Sequence, residues 1–455
     1  MDFSQIGSNV KSAYNGYKYS KRAWESPGFL RKLQNNYLRK TVQNAYELTD
    51  FYKKKFDRHG VSPKDIKSVE DLHKLPIITK NDFIKNSHLA IPKSLDRKKA
   101  VCMGTSGSTG QPLQVYKDHI WRAHFIGYLF RMRKLHKMGM PKAAFIADIG
   151  SSSSIETKTY NYMKLITANR IAIINVDQDI NKIMLLLEKA DVRYIATYTT
   201  VMRELAFLRN NGMGKKLNLI KIGLTGEILD DFTREYIEKA FGCACYSSYI
   251  STEAGAIAIE CENKKMHVNS DSVMLEVVDD NGNVLPYGKD GNIILTCIDG
   301  GYSTPVIRYS GCADAGHLLP EKCTCGMNTP VIGPIKGRIA DSIHLPDGRI
   351  YHSFTMTIPM EKILKGLGKN LIRQYQIVQE KLDKVSISLV KNQKNQPSDE
   401  DFNKVMQSIK QTYQDQLGSG IDISVNQFPQ LPKGNNVGMP TPLVVSMINK
   451  DRIIK

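Results

Sequence analysis

Residues 181–197 read NKIMLLLEKADVRYIAT. The stretch 181–189 carries the apolar periodicity of an amphipathic helix, and VRYIAT at 192–197 is a short apolar run of strand type. Working outward, AAFIAD (143–148), RIAIIN (170–175) and LIKIGL (219–224) are further buried strands. A helix is expected near 230–240, with CACYSS (243–248) as the next strand. Short apolar runs separated by helical patterns predict an α/β fold with a mostly parallel sheet and helical crossovers. Ligands of such sheets gather outside the carboxyl ends of the strands.

Both flanks differ from this centre. The first hundred residues read as helices, with apolar residues at mixed three and four spacing through LRKLQNNYLRKTVQNAYELTDFYKKKF. After the centre, SVMLEVVDDNGNVLPYGKDGNIILTC alternates around a DDNGN turn and predicts an antiparallel, β-rich subdomain. The tail holds strands at QYQIVQ, KVSISLV, IDISVNQ and LVVSMI and a polar helix near 398–415, a small α+β unit. We expect a large domain at 1–338 and a mobile C-terminal domain at 339–455, joined near Arg338–Asp341.

Composition limits the classes. At 455 residues the chain exceeds one ordinary domain, and 41% hydrophobic with 24% charged residues is globular rather than disordered. No stretch approaches the roughly 20 apolar residues of a membrane span, and the N-terminus lacks an apolar signal core, so a cytoplasmic protein is expected. The net charge of +18 is spread along the chain without a basic stripe interleaved with aromatics. That favours phosphate-bearing ligands or an acidic carrier protein over nucleic acid. Eight cysteines in such a chain argue for reduced thiols.

Four motifs carry chemistry. Gly104-Thr105-Ser106-Gly107-Ser108-Thr109-Gly110 follows a strand, and its small residues let backbone N–H groups and hydroxyls approach phosphate oxygens. No lysine follows Gly110, so this is not a Walker A loop. Tyr249-Ile250-Ser251-Thr252-Glu253 sets a carboxylate suited to Mg²⁺ beside a hydroxyl. Arg308-Tyr309 with Asp314 offers a carboxylate for ribose hydroxyls, and Gly337-Arg338-Ile339-Ala340-Asp341 a flexible joint. Read singly, the first is more often a plain loop and the second a solvated surface Glu. Cys261, His267, Cys323 and Cys325 supply three thiolates and an imidazole, the donor set of a closed tetrahedral Zn²⁺ site, or else a group of buried reduced cysteines. Cys243 and Cys245 read as packing residues, and nothing singles out a nucleophilic thiol among the eight.

The order of these motifs resembles the adenylate-forming superfamily of acyl- and aryl-CoA synthetases and luciferases. More narrowly it is similar to the phenylacetate–CoA ligase branch and its capsular-polysaccharide-associated relatives, as is YELTDFYKKKFDRHGVSPKDIKSVEDLHKLPIITKNDF near the N-terminus. The resemblance covers about 40–350 and fades in the tail. It implies ATP-dependent activation of a carboxylic acid to an acyl-adenylate, with pyrophosphate released. The acyl group would then pass to an acceptor: coenzyme A first, a carrier-protein phosphopantetheine thiol or an amine otherwise. By it, Thr105, Ser106, Gly107, Ser108, Thr109 and Gly110 would hold the ATP phosphates. Thr225-Gly226-Glu227 would border adenine and acid, Tyr249 would stack on adenine, Thr252 would meet the α-phosphate and Glu253 would bind Mg²⁺. Asp314, one residue further from the Arg-Tyr pair than the family's spacing, and Arg338 would hold the ribose, and Asp341 would mark the hinge. The Cys…His…CxCG pattern of several members adds weight to structural zinc. Implied partners are a small carboxylic acid, an acyl carrier protein and a second copy of the chain.

The tail departs from the family. Where a lysine is expected before the strand LVVSMI stands Met439, and the nearest cation is Lys433. Lys433 could reach the site through a rearranged loop, adenylation could proceed slowly without it, or the chain could be a nucleotide-binding relative with reduced catalysis in a biosynthetic or capsular polysaccharide pathway. The acid pocket is expected near 147–154, 198–200, 224–226 and 246–251. IGSSSS (149–154) leans towards a small or polar acid, unless it is only a loop at a strand end.

Overall fold

The structure is a computed structural model that describes residues 3–97, 99–104, 113–147, 170–301, 303–336, 342–366, 371–392, 398–431 and 443–448. Thr105–Gly110, Arg338, Asp341, Lys433, Met439 and the 148–154 part of the expected acid pocket lie outside the described residues.

The predicted centre forms one mixed sheet. After the separate antiparallel pair β1 (Val101–Gly104) and β2 (Gln114–Lys117), strands β3 (Ala143–Ala147), β4 (Ile171–Asn175), β5 (Tyr194–Tyr198), β6 (Lys221–Thr225) and β7 (Cys245–Ser251) run parallel in the order β4-β3-β5-β6-β7. The sheet continues antiparallel through β8 (Gly255–Glu260) and β9 (Met266–His267–Val268). Ile195 and Ile222 lie fully buried on one face, against helices Ile180–Lys189, Thr199–Asn210 and Asp231–Phe241. Each such side chain contributes roughly 1.5–3 kcal/mol of burial, which is why these strands read as near-continuous apolar runs. On the opposite face Tyr194 and Ile171 pack with Tyr128 and Met132 of helix His119–Leu135. Asp118 starts that helix by accepting from the N–H groups of Ile120 (3.0 Å) and Trp121 (2.9 Å).

The N-terminal helices Pro27–Leu48 and Asp50–His59 share a core with the antiparallel pair β10 (Val273–Val278) and β11 (Gly291–Cys297). This is the predicted β-rich subdomain. A separate core spans Ile343 to Val444, built on four strands with the central hairpin Ile372–Lys381 and Lys384–Lys391. Its helices Ser353–Gly366 and Asp399–Leu417 are tied by the Tyr413 hydroxyl donating to the Met356 carbonyl at 2.6 Å. The α/β body and small α+β tail thus follow the sequence pattern.

The tail rests on helix Thr199–Asn210, whose Glu204 accepts from Arg373 (2.6 Å) and Gln374 (2.9 Å). The Arg373 guanidinium also lies 4.9 Å from the centroid of the Phe207 ring.

Candidate functional site

The carboxyl ends of β5, β6 and β7 lie side by side, with Tyr198 opposite Thr225 and Thr225 opposite Ser248. Each strand is followed by a segment singled out in the sequence. After β6 the chain turns at Gly226 with φ +78°, and a Cβ there would sit 2.8 Å from the Tyr198 ring. Only glycine meets both constraints. The turn lets Glu227 reach the first turn of helix Thr199–Asn210, where it accepts from the Thr200 N–H (2.7 Å) and hydroxyl (3.0 Å). Burial pushes the Glu227 carboxyl up to about 7, against the Thr200 hydrogen bonds, which favour the charged form.

Next to it, Tyr249 of β7 donates its hydroxyl to Asp314 at 2.6 Å. The adenine-stacking and ribose-binding candidates are therefore joined to each other. The turn after β7 carries Thr252 and Glu253. Glu253 is 6% exposed and accepts at Oε1 from the Tyr309 hydroxyl at 2.8 Å. Burial and the Glu253 carboxylate raise the Tyr309 phenol well above its ordinary range, so it stays a donor. Gly255 (φ +76°) closes the turn against Trp121, whose Nε1 would meet a Cβ at 2.9 Å.

Arg308 is built into the protein: its guanidinium donates to Glu276 (3.1 Å) and to the carbonyls of His73 (3.1 Å) and Leu75 (2.7 Å). In the Arg-Tyr…Asp motif it is the tyrosine and the aspartate that face the other candidates. Of the expected acid-pocket segments, 198–200, 224–226 and 246–251 run along or just beyond the carboxyl ends of the neighbouring strands β5, β6 and β7. Together these elements place the Glu253 turn, held by Tyr309, and the Tyr249–Asp314 pair at the carboxyl ends of the strands, the residues expected from the sequence to meet a divalent cation and a nucleoside.

The second candidate centre lies across β8 and β9. The donor atoms of Cys261, His267, Cys323 and Cys325 all fall within 4.8 Å of one another, the one such group of four among the described residues. Cys261 Sγ stands 3.7 Å from Cys323 Sγ, and Cys325 Sγ 3.3 Å from His267 Nε2. A tetrahedral zinc with Zn–S near 2.3 Å and Zn–N near 2.0–2.1 Å requires ligand separations of about 3.8 and about 3.6 Å. The set fits. Thr329 Oγ1 lies 3.4 Å from His267 Nδ1, the outer partner that orients a ligating imidazole. Burial lowers the His267 pKa and keeps the ring neutral, as a metal ligand must be. Cys243 and Cys245 lie apart from this cluster; Cys245 is buried among apolar residues under the parallel strands, as expected.

Lys117, Asp118 and Asp299, buried behind the Glu253 turn, escaped the sequence reading. Only Asp118 had a usable signal, as a helix N-cap before IWRAHF.

Comparison with known proteins bears on all of this. The CapK C-terminal domain family matches residues 351–438. Protein CapK of Staphylococcus aureus is 24% identical over 434 residues, 92% of each chain. Phenylacetate-coenzyme A ligase of Thermus thermophilus is 25% identical over 366 residues, 77% of this chain and 78% of that one. Among solved structures, 2-hydroxyisobutyryl-CoA ligase in its postadenylation state has a TM-score of 0.76 at 17% identity, covering 95% of this chain and 92% of that one. The same enzyme in its thioesterification state has a TM-score of 0.62 at 18% identity, over 94% and 91%.

Proposed function

From the premise that the chain belongs to the adenylate-forming superfamily, on its phenylacetate–CoA ligase branch, we propose ATP-dependent activation of a small or polar carboxylic acid and its transfer to coenzyme A. The observation that carries the reading is the Thr252–Glu253 turn, with Glu253 held by Tyr309 beside the Tyr249–Asp314 pair. The enzyme is an acid–thiol ligase. A carrier-protein thiol and an amine are the other acceptors to test.

In this reading Thr105, Ser106, Gly107, Ser108, Thr109 and Gly110 bind the ATP phosphates, and Tyr249, Asp314 and Arg338 the nucleoside. Thr225-Gly226-Glu227 borders adenine and acid. Glu253 has one carboxylate oxygen committed to Tyr309, so Oε2 is the candidate Mg²⁺ ligand. Magnesium, when bound, offsets charge on the phosphates. The acid carboxylate attacks the α-phosphorus, pyrophosphate leaves, and an acyl-adenylate forms; the acceptor then attacks the acyl carbon and AMP departs. Catalysis of the first step is positioning plus electrostatics, with Thr252 donating to the α-phosphate and Lys433 as the candidate cation for the charge built there. The tail, 339–455, turns about Asp341 between the two steps. Cys261, His267, Cys323 and Cys325 hold a structural zinc that leaves no open coordination position.

The test is direct. Incubation with MgATP, coenzyme A and a panel of small hydroxy, amino and aryl acids, followed by mass analysis, should yield AMP and one acyl thioester. No acyl product from any acid or acceptor would reject the reading. Met439 favours the second reading, a nucleotide-binding relative with reduced catalysis. If Lys433 serves, Lys433→Ala abolishes acid-dependent pyrophosphate exchange; unchanged exchange would remove Lys433 from the mechanism.

A further inference from the structure

Lys117 ends the short strand Gln114–Lys117, which pairs antiparallel with Val101–Gly104. In sequence this strand begins four residues after Gly110, the end of the small-residue loop 104–110. Lys117 is 1% exposed, and its Nζ donates to the main-chain carbonyl of Glu253. Burying an ammonium is costly unless it is hydrogen-bonded and has countercharge nearby. Both conditions hold. Asp299 is buried within electrostatic reach of Lys117 and of the buried Asp118, and the Trp121 ring centroid lies 5.8 Å from Nζ. Asp118 also caps helix His119–Leu135, and Asp299 accepts from the Gly301 N–H at 2.9 Å, so the countercharge is fixed in place.

Glu253 is therefore gripped twice: the Tyr309 hydroxyl holds its carboxylate and the Lys117 ammonium holds its carbonyl. One side chain thereby links the strand leaving the loop to the turn bearing Thr252 and Glu253. A neutral donor in the same place would serve the carbonyl but remove the positive charge that faces Asp299.

We propose that Lys117 is a positioning residue for divalent-cation-dependent nucleotide binding, locking the Glu253 turn so that its carboxylate meets the metal of MgATP. The inference rests on Glu253 as the Mg²⁺ ligand of the proposed function, and its test does not need turnover. ATP binding to the full chain is measured calorimetrically with Mg²⁺ and with a chelator, for wild type, Lys117→Met, Lys117→Arg and Glu253→Gln, and for the Met change in the Gln background. Lys117→Met should weaken MgATP binding about tenfold and metal-free ATP binding less than about twofold, the loss expected for one charge-assisted hydrogen bond. Lys117→Arg should stay within about threefold of wild type, and Lys117→Met should add little once Glu253 is Gln. Equal loss with and without Mg²⁺, or undiminished loss in the Gln background, would make Lys117 merely structural and overturn the proposal. So would unchanged MgATP binding in Lys117→Met. A wild type that binds MgATP yet exchanges pyrophosphate with no acid would reject the ligase reading and leave Lys117 standing; a wild type that binds no MgATP would overturn both.

Discussion

Replacing Tyr309 by Phe removes one hydroxyl and little else. The ring is fully buried and packs edge-on against Phe83, with centroids 5.3 Å apart, contacts that Phe retains. What is lost is the 2.8 Å hydrogen bond to a carboxylate only 6% exposed. A hydrogen bond to a charged partner contributes about 1.5–3 kcal/mol, and burial of both groups limits screening. If that bond presents Glu253 to Mg²⁺, its loss lowers kcat/KM for MgATP by about 10- to 150-fold, at about 1.4 kcal/mol per decade. The assay is acid-dependent ATP–pyrophosphate exchange, with MgATP and acid varied separately. KM for the acid should move less than about twofold, because Tyr309 acts through Glu253. A kcat/KM for MgATP within about twofold of wild type would refute the reasoning, as would an equal loss against both substrates.

Further outcomes follow from the same geometry. Glu227 has a folded pKa raised to about 7 by burial, so its contribution to stability is largest at low pH and is lost as pH rises through that value. The thermal midpoint of wild type should therefore fall more between about pH 5 and about pH 8 than that of Glu227→Gln; equal falls would reject the shift. Elemental analysis should find about one zinc per chain, and His267→Ala should lose both the metal and thermal stability. Metal-free protein with an unchanged midpoint would contradict the zinc assignment. Arg373→Ala breaks a partly exposed ion pair with Glu204, worth about 0.2–1 kcal/mol, and in the proposed two-step reaction should shift the ratio of adenylation to thioester formation about 1.4- to 5-fold towards the latter. An unchanged ratio would show that the contact does not bias the two arrangements.

Much of the fold was legible because apolar periodicity reports burial directly. VRYIAT and LIKIGL had to be strands in a covered sheet, and the DDNGN turn had to join antiparallel ones. Of the candidate site, the residue types singled out in the sequence, Thr252-Glu253, Tyr249 and Asp314, were legible as motifs near strand ends. What joins them was not. The Tyr309–Glu253 and Tyr249–Asp314 bonds span 56 and 65 residues of sequence, and no local pattern encodes a pairing across such distances. Arg308 shows the same limit: the sequence sets it beside Tyr309, but its binding to main-chain carbonyls of the N-terminal region is fixed by tertiary packing. Lys117 was invisible for the same reason, since a lone lysine ending a short strand reads as solvated until its neighbours are known. The Cys/His cluster proposed to hold zinc sat between these extremes. Its residue types were plain, but the separation of 62 positions from Cys261 to Cys323 made their closeness a structural result.

The most direct measurement is acid-dependent exchange of labelled pyrophosphate into ATP, with the wild-type chain and Glu253→Gln across a broad panel of carboxylic acids. We expect exchange with at least one acid, reduced about a hundredfold or more in Glu253→Gln, in line with loss of a metal-binding carboxylate from the Thr252–Glu253 turn. Tight MgATP binding with no exchange for any acid would contradict the account.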